Sequence, residues 1–164
     1  MALVLMADTS LKLAQSLSIR HWRMATAESC TGGLISAACT DVAGSSAWFD
    51  RGFVTYSNDA KIQMLGVPAE VIAAHGAVSE AVAQAMAFGA FASSSAQVSV
   101  AVTGVAGPTG GSPQKPVGTV CFGWCINGVV TTQTQHFEGD RQRIRQASVT
   151  HALHGLLERI ALAE

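Results

Sequence analysis

Apolar residues recur along the chain in two periods, and the period changes where a glycine, a proline or a capping residue falls. Leu11, Leu13, Ala14 and Leu17 keep helical spacing behind Asp8 or Thr9, either of which can cap, and the run ends near His21. A short strand, Met24 to Ala27, follows. Leu34, Ile35, Ala38 and Cys39 return to helical spacing until Asp41, and Ala-Gly-Ser-Ser over 43–46 breaks the pattern. Between Trp48 and Tyr56 the aromatic and β-branched residues predict a second strand. Asn58 is placed to cap a helix through Leu65 that Gly66 stops. Pro68 opens a shorter helix ending at Gly76, and Ser79 caps an alanine-rich helix to about Ser93.

In the second half, Val98, Val100 and Val102 alternate with polar or small residues, which makes Gln97 to Thr103 a strand. Glycine and proline then interrupt regular structure from Thr103 to Pro116. A loop of that length inside a compact domain points to function or to disorder. Val117–Ile126 and Val129–Phe137 flank Asn127-Gly128, the signature of a type I′ hairpin. A closing helix from about Asp140 to Leu162 carries Ile144, Ala147, Val149, Ala152, Leu156, Leu157 and Ile160 on one face. Strands separated by helices early and a hairpin late predict an α/β fold, a mixed sheet with helices on both faces. Function in such sheets gathers at strand ends, here those leading into Ser29 and Thr103.

Length and composition narrow this picture. The 164 residues, 49% of them apolar, fit one domain over 1–164. Ten lysines and arginines nearly balance eleven acidic residues without a basic run, so there is no electrostatic footprint for nucleic acid. Cys30, Cys39, Cys121 and Cys125 lie in or beside periodic apolar segments, a setting for reduced thiols. The apolar Met1–Met6 is too short for a signal core, and nothing approaches a membrane-spanning length, so a cytoplasmic protein is expected.

The candidate chemistry starts at T-A-E-S-C-T-G-G (Thr26 to Gly33), where a strand hands over to a helix around Ser29. Free N–H groups of a first helical turn favour an anion or a reactive group there; the equally good alternative is that Ser29 and Thr31 serve only as caps. A serine nucleophile needs a base, and no histidine falls between His21 and His75. Lys61, the only lysine between Lys12 and Lys115, is the alternative base, with Arg51 or Arg141 as a neighbouring cation; the competing reading is a solvated helix residue. The glycine-rich stretch from Thr103 to Gly111 matches neither the Walker loop nor the dinucleotide fingerprint, yet its amides suit a phosphate. Gly139-Asp140-Arg141 is a better-placed anion site, while Arg143 and Arg145 read equally well as solvated charges. Cys30, at a helix N-terminus, is a rival nucleophile. Cys121 with Cys125 reads as core packing, and His151 with His154 lacks a third ligand, so no metal site is expected.

Taken in order, T-A-E-S-C-T-G-G, A-G-S-S-A-W-F-D-R-G-F-V-T-Y-S-N-D-A-K, H-G-A-V-S-E, T-G-V-A-G-P-T-G-G, K-P-V-G-T-V and G-D-R resemble the C-terminal domain family of the competence/damage-inducible protein CinA over nearly the whole chain. The resemblance implies a three-layer α/β/α sandwich with a mixed sheet, a homodimer, and no metal or other cofactor. Short members of that family are nicotinamide-nucleotide amidohydrolases, which convert nicotinamide mononucleotide and water to nicotinate mononucleotide and ammonia by a serine–lysine mechanism. Carried over by motif, the serines are Ser29 and Ser46 and the lysine is Lys61, supported by Tyr56, Thr103 and Arg141. Ser46 shares a motif block with Lys61 and is favoured as nucleophile, with Ser29 positioning substrate or supporting the oxyanion. Thr31, Gly32, Thr103, Gly104, Gly107 and Arg141 are expected to bind a pyridine mononucleotide, the last four around its phosphate. Two other readings stay open: a cysteine amidase using Cys30, and a module that binds a pyridine nucleotide without turning it over.

Overall fold

The computed structural model describes residues 1–163 and, within them, all side chains but that of Ala2. Its elements follow the apolar periods in order. They are α1 (Ala2–Arg20), β1 (Met24–Glu28), α2 (Leu34–Thr40), β2 (Phe49–Val54), α3 (Asn58–Leu65), α4 (Ala69–His75), α5 (Glu80–Ala92), β3 (Val98–Gly104), β4 (Thr119–Ile126), β5 (Val129–His136) and α6 (Arg141–Leu162). Two expected caps are not used. Helix α1 begins at Ala2, not behind Asp8 or Thr9, because Ala2–Ala7 contains only helix-compatible residues; the Thr9 hydroxyl instead donates back to the Leu5 carbonyl at 2.9 Å. On α3 the capping oxygen is that of Ser57, which accepts from the Ala60 amide at 3.0 Å, one residue before the expected Asn58.

The strands form one mixed sheet in the order β2-β1-β3-β4-β5. Strand β1 runs parallel to both β2 and β3, while β3-β4-β5 is an antiparallel meander. The β4–β5 turn places Asn127 at φ 48° and Gly128 at φ 91°, the left-handed pair that a type I′ hairpin needs. Because side chains alternate across a strand, the sheet separates two unlike cores. Val98, Val100, Val102, Phe122 and Trp124 face α1, α2 and α6, where Leu13, Leu17, Ile35, Leu153 and Leu156 complete a bulky core. Ala25, Ala27 and Ala101 face α5, which contributes Val82, Met86, Ala87 and Ala90. With helices on both faces, the molecule is a three-layer α/β/α sandwich.

Small residues set how closely the layers approach. A Cβ on Gly123 would lie 2.5 Å from the Ala83 carbonyl of α5, and one on Gly155 of α6 would lie 2.4 Å from the Trp124 ring. That ring is fully buried, stacked on Phe122 and tied by its indole N–H to the Ala152 carbonyl at 2.9 Å, so it has nowhere to move. Among the described residues no helix is long and apolar enough to cross a membrane.

Gly155→Ala tests this approach. Alanine raises helix propensity by about 1 kcal/mol, but the clash with Trp124 costs more, so a net loss of about 1–3 kcal/mol is expected in urea unfolding. A stabilised variant would show that α6 and β4 are not held at contact distance.

Candidate active site

Three parallel strands, β2, β1 and β3, end at the same edge of the sheet, and the residues just past those ends meet in one cleft of about 210 Å³. Ser29, Cys30, Tyr56, Asn58, Lys61, Ala77, Val78, Thr103, Gly104, Ala106 and Arg141 line it. Ser29 follows the last residue of β1, where its amide still donates to the Val102 carbonyl of β3 at 3.0 Å. Lys61 comes from α3. The Ser57 cap starts this short helix three residues after β2, and Lys61 is its fourth residue.

Lys61 is 1% exposed, and its Nζ lies 3.0 Å from Ser29 Oγ, 3.0 Å from the Thr55 carbonyl and 3.3 Å from the Tyr56 carbonyl. Among the described residues no carboxylate pairs with it. An amine buried without a counterion disfavours its charged form, so burial holds Lys61 below the ordinary lysine value of 10.5. Nζ donates to the Ser29 hydroxyl and to both carbonyls, while the Ser29 hydroxyl lies 3.5 Å from the Tyr56 carbonyl. A neutral amine at the same position keeps two N–H groups for the carbonyls and one lone pair for the Ser29 proton.

The turn after Ser29 rests on a second buried group. Glu28 is fully buried and accepts from Thr31 Oγ1 at 2.7 Å, from the Ile35 and Ser36 amides at 2.8 and 3.0 Å, and from Ser36 Oγ at 2.8 Å. It thus occupies the N-terminus of α2 from the strand side, satisfying donors that the helix leaves open.

At the mouth, Arg141 opens α6 behind the Asp140 cap, which accepts from the Arg143 amide at 2.9 Å. Its guanidinium donates to the Gly107 carbonyl at 2.8 Å and to the Tyr56 hydroxyl at 3.3 Å, joining the glycine-rich loop to the end of β2. Thr103 is buried, with its hydroxyl donating to the Ala77 carbonyl at 2.8 Å; it therefore offers the cleft lone pairs and no proton.

The structure brings together Ser29, Lys61, Tyr56, Thr103, Gly104, Gly107 and Arg141, but not all the expected residues. Ser46 is exposed on a single 3₁₀ turn before β2, with its carbonyl bonded to Arg23 at 3.2 Å. Strands β1 and β2 are parallel, so Ser46 sits where β1 begins and Ser29 where it ends, roughly 17 Å apart at the usual rise per strand residue. Arg51 pairs with Asp50 at 2.7 Å and with the Ser93 carbonyl, away from Lys61. Thr31 is turned inward to Glu28, and Gly32 lies beside Arg145, so neither lines the cleft. Tyr56 meets Lys61 through its backbone carbonyl, whereas its phenol belongs to Arg141. Cys30 lines the cleft, but burial pushes its thiol up to about 12, which leaves little thiolate near neutrality.

A sequence model of the CinA C-terminal domain matches residues 6–160. The chain belongs to that family. It is 50% identical to the nicotinamide-nucleotide amidohydrolase PncC of Enterobacter agglomerans, over 92% of each chain. The crystal structure of the competence/damage inducible protein CihA from Agrobacterium tumefaciens is similar with a TM-score of 0.92 at 46% identity, covering 98% of this chain and 96% of that one. For the competence damage-inducible protein ComA of Klebsiella pneumoniae the TM-score is 0.94 at 41% identity, covering 97% and 99%. These likenesses extend across the whole three-layer fold of the family.

Around the Ser29 turn sequence reasoning gave Glu28 no role and read Arg145 equally well as a solvated charge, whereas Arg145 contacts the Cys30 and Thr31 carbonyls. A signal existed for Arg145, since it stands four residues after Arg141 and so on the same side of α6. Glu28→Ala strands two hydroxyls and two amides inside the protein, and a loss of about 3 kcal/mol or more is expected in urea unfolding. Retention of full stability would mean that the carboxylate does not organise the turn.

Proposed function

We propose that this protein is a nicotinamide-nucleotide amidohydrolase that works through Ser29 and Lys61 without a metal. One observation carries the reading: a lysine amine, buried without a counterion, stands 3.0 Å from the hydroxyl of a serine at the C-terminal edge of a parallel sheet. A relative 50% identical over most of both chains bears the name of that activity. Ser29, not Ser46, is the nucleophile of this proposal, because only Ser29 is within reach of a base.

In the first half-reaction the Ser29 proton passes to the neutral Lys61 amine while Oγ adds to the carboxamide carbon. The electron pair of the C=O bond moves to oxygen. Of the residues that follow Ser29 in the turn only Cys30 lines the cleft, which makes its backbone N–H the candidate donor to the resulting oxyanion. Collapse re-forms the C=O bond and breaks the C–N bond, and the leaving nitrogen takes the proton from Lys61 to depart as ammonia. Water then adds to the acyl-serine ester, handing a proton to Lys61. The C–O bond to Oγ breaks, Ser29 recovers that proton, and nicotinate mononucleotide leaves.

The remaining cleft residues suit the rest of the substrate. Arg141 with the Tyr56 hydroxyl presents donors for a phosphate at the mouth, where the Gly104–Gly107 loop approaches. Binding energy from that remote phosphate then orients the reacting carbon. Thr103 cannot donate to a phosphate while it is bonded to Ala77; its lone pairs suit a carboxamide NH₂, which donates, and disfavour a product carboxylate, which does not.

Ammonia release from nicotinamide mononucleotide tests the roles. Ser29→Ala and Lys61→Met are expected to lose about 10³-fold or more in kcat/KM, whereas Ser46→Ala stays within about threefold of the unaltered protein. An active Ser29→Ala protein, or saturable binding with no product in the unaltered one, would overturn the proposal. The pH dependence has a definite sign: the base works deprotonated, so kcat/KM rises with pH and levels off above a midpoint below 10.5. A profile that falls through this range would remove Lys61 as the base.

A further inference from the structure

The turn that carries Ser29 is gripped on two sides by opposite charges. Glu28 holds it from the α2 side through Thr31 and the first α2 amides. From the other side Arg145 of α6 donates through Nε to the Cys30 carbonyl at 3.0 Å and through Nη2 to the Thr31 carbonyl at 3.2 Å. Among the described residues no carboxylate pairs with Arg145, so these two carbonyls are what its fork engages. Gly32, at φ 56°, keeps the backbone close, with its Cβ position only 3.4 Å from Nη2. Arg145 does not line the substrate cleft; it lines a separate one of about 310 Å³, with Leu3, Met6, Ala37 and Gln142.

We propose that Arg145 is a positioning residue for the Ser29–Lys61 pair, an inference that rests on the serine–lysine reading. It touches neither substrate nor base. By fixing the carbonyls of the two residues after the nucleophile, it limits rotation of the turn and keeps Ser29 Oγ in register with an amine that arrives from α3. It also holds those carbonyl lone pairs on the α6 side, away from the cleft where negative charge develops. A planar fork is needed for this, because one ammonium cannot meet two carbonyls with the same rigidity. Arg141 stands one turn earlier on α6 at the cleft mouth, so the same helix places the substrate anchor and the nucleophile turn relative to each other.

The test compares Arg145→Ala and Arg145→Lys in ammonia release from nicotinamide mononucleotide, with kcat and KM measured separately. Loosening a nucleophile by about 1 Å costs on the order of 10²-fold, so kcat is expected to fall by about that factor in both variants. KM stays within about threefold, since Arg145 makes no ground-state contact with substrate. Millimolar methylguanidine, entering by the second cleft, restores about tenfold of the lost kcat in Arg145→Ala and nothing in Lys61→Met. Wild-type kcat in Arg145→Lys, a loss confined to KM, or no rescue by methylguanidine overturns the inference. If the unaltered protein releases no ammonia, the amidohydrolase reading is what fails. Amide hydrogen exchange then decides on Arg145 alone: residues 29–34 exchange about tenfold faster in Arg145→Ala while β1 and α6 do not, and unchanged exchange in the turn overturns the brace.

Discussion

The site depends on a buried carboxylate, Glu28, that among the described residues has no cation paired with it. Glu28 is stabilised by four hydrogen bonds, all from the segment that immediately follows it. Desolvating such a group is costly unless every lone pair finds a donor, and here the donors are the open end of α2 and two hydroxyls. The consequence is geometric. With α2 docked onto the end of its own preceding strand, the intervening residues 29–33 form a tight turn over the sheet edge, and Ser29 is the first of them. Thr26 and Ser36, whose hydroxyls are 2.8 Å apart, extend the same contact one layer deeper.

The lysine arrives by an unrelated route. Strand β2 is parallel to β1, so its end at Val54 lies beside that of Glu28, and the Thr55 amide donates to the Glu28 carbonyl at 2.8 Å. The chain then turns through Ser57 into α3, whose fourth residue is Lys61. The same two carbonyls that end β2, those of Thr55 and Tyr56, receive the amine. The Lys61 amine is therefore positioned by backbone that the sheet already fixes, and its register with Ser29 follows from strand pairing. No part of this positioning requires an ion pair, which is what allows the amine to be neutral.

How much of this was legible in the sequence varies from residue to residue. The periods of Val98–Val102 and of Ile144–Ile160, the Asn127-Gly128 turn and the Ser79 and Asp140 caps each rest on local chemistry, and the elements lie where those signals put them. Ser29 and Lys61 were both identifiable as candidates, the first from its strand-to-helix turn. Their pairing was not. Sequence proximity favoured Ser46, fifteen residues from Lys61 against thirty-two for Ser29, yet the six residues of β2 carry the chain from one edge of the sheet to the other. Nearness along a strand is distance in space. For Arg145 the side of α6 was legible from its spacing to Arg141, but its partners were not, because they are backbone carbonyls more than a hundred residues away.

The fate of Cys30 shows why the turn does not suit a thiolate. A thiol beside a helix N-terminus is ordinarily a candidate for a lowered pKa, since open amides stabilise a thiolate. Here the Ile35 and Ser36 amides are already engaged by Glu28, so the positive end of α2 is neutralised before it reaches the sulfur. Burial then dominates, and Glu28 itself adds a nearby negative charge, which together outweigh the hydrogen bond from the thiol's own backbone amide, Arg145 and Lys61, and drive the thiol up. Ser29 needs no such stabilisation. In the proposed mechanism its hydroxyl gives up a proton only as it bonds to carbon, to an amine already in contact, so a turn that suppresses a resting anion does not hinder it.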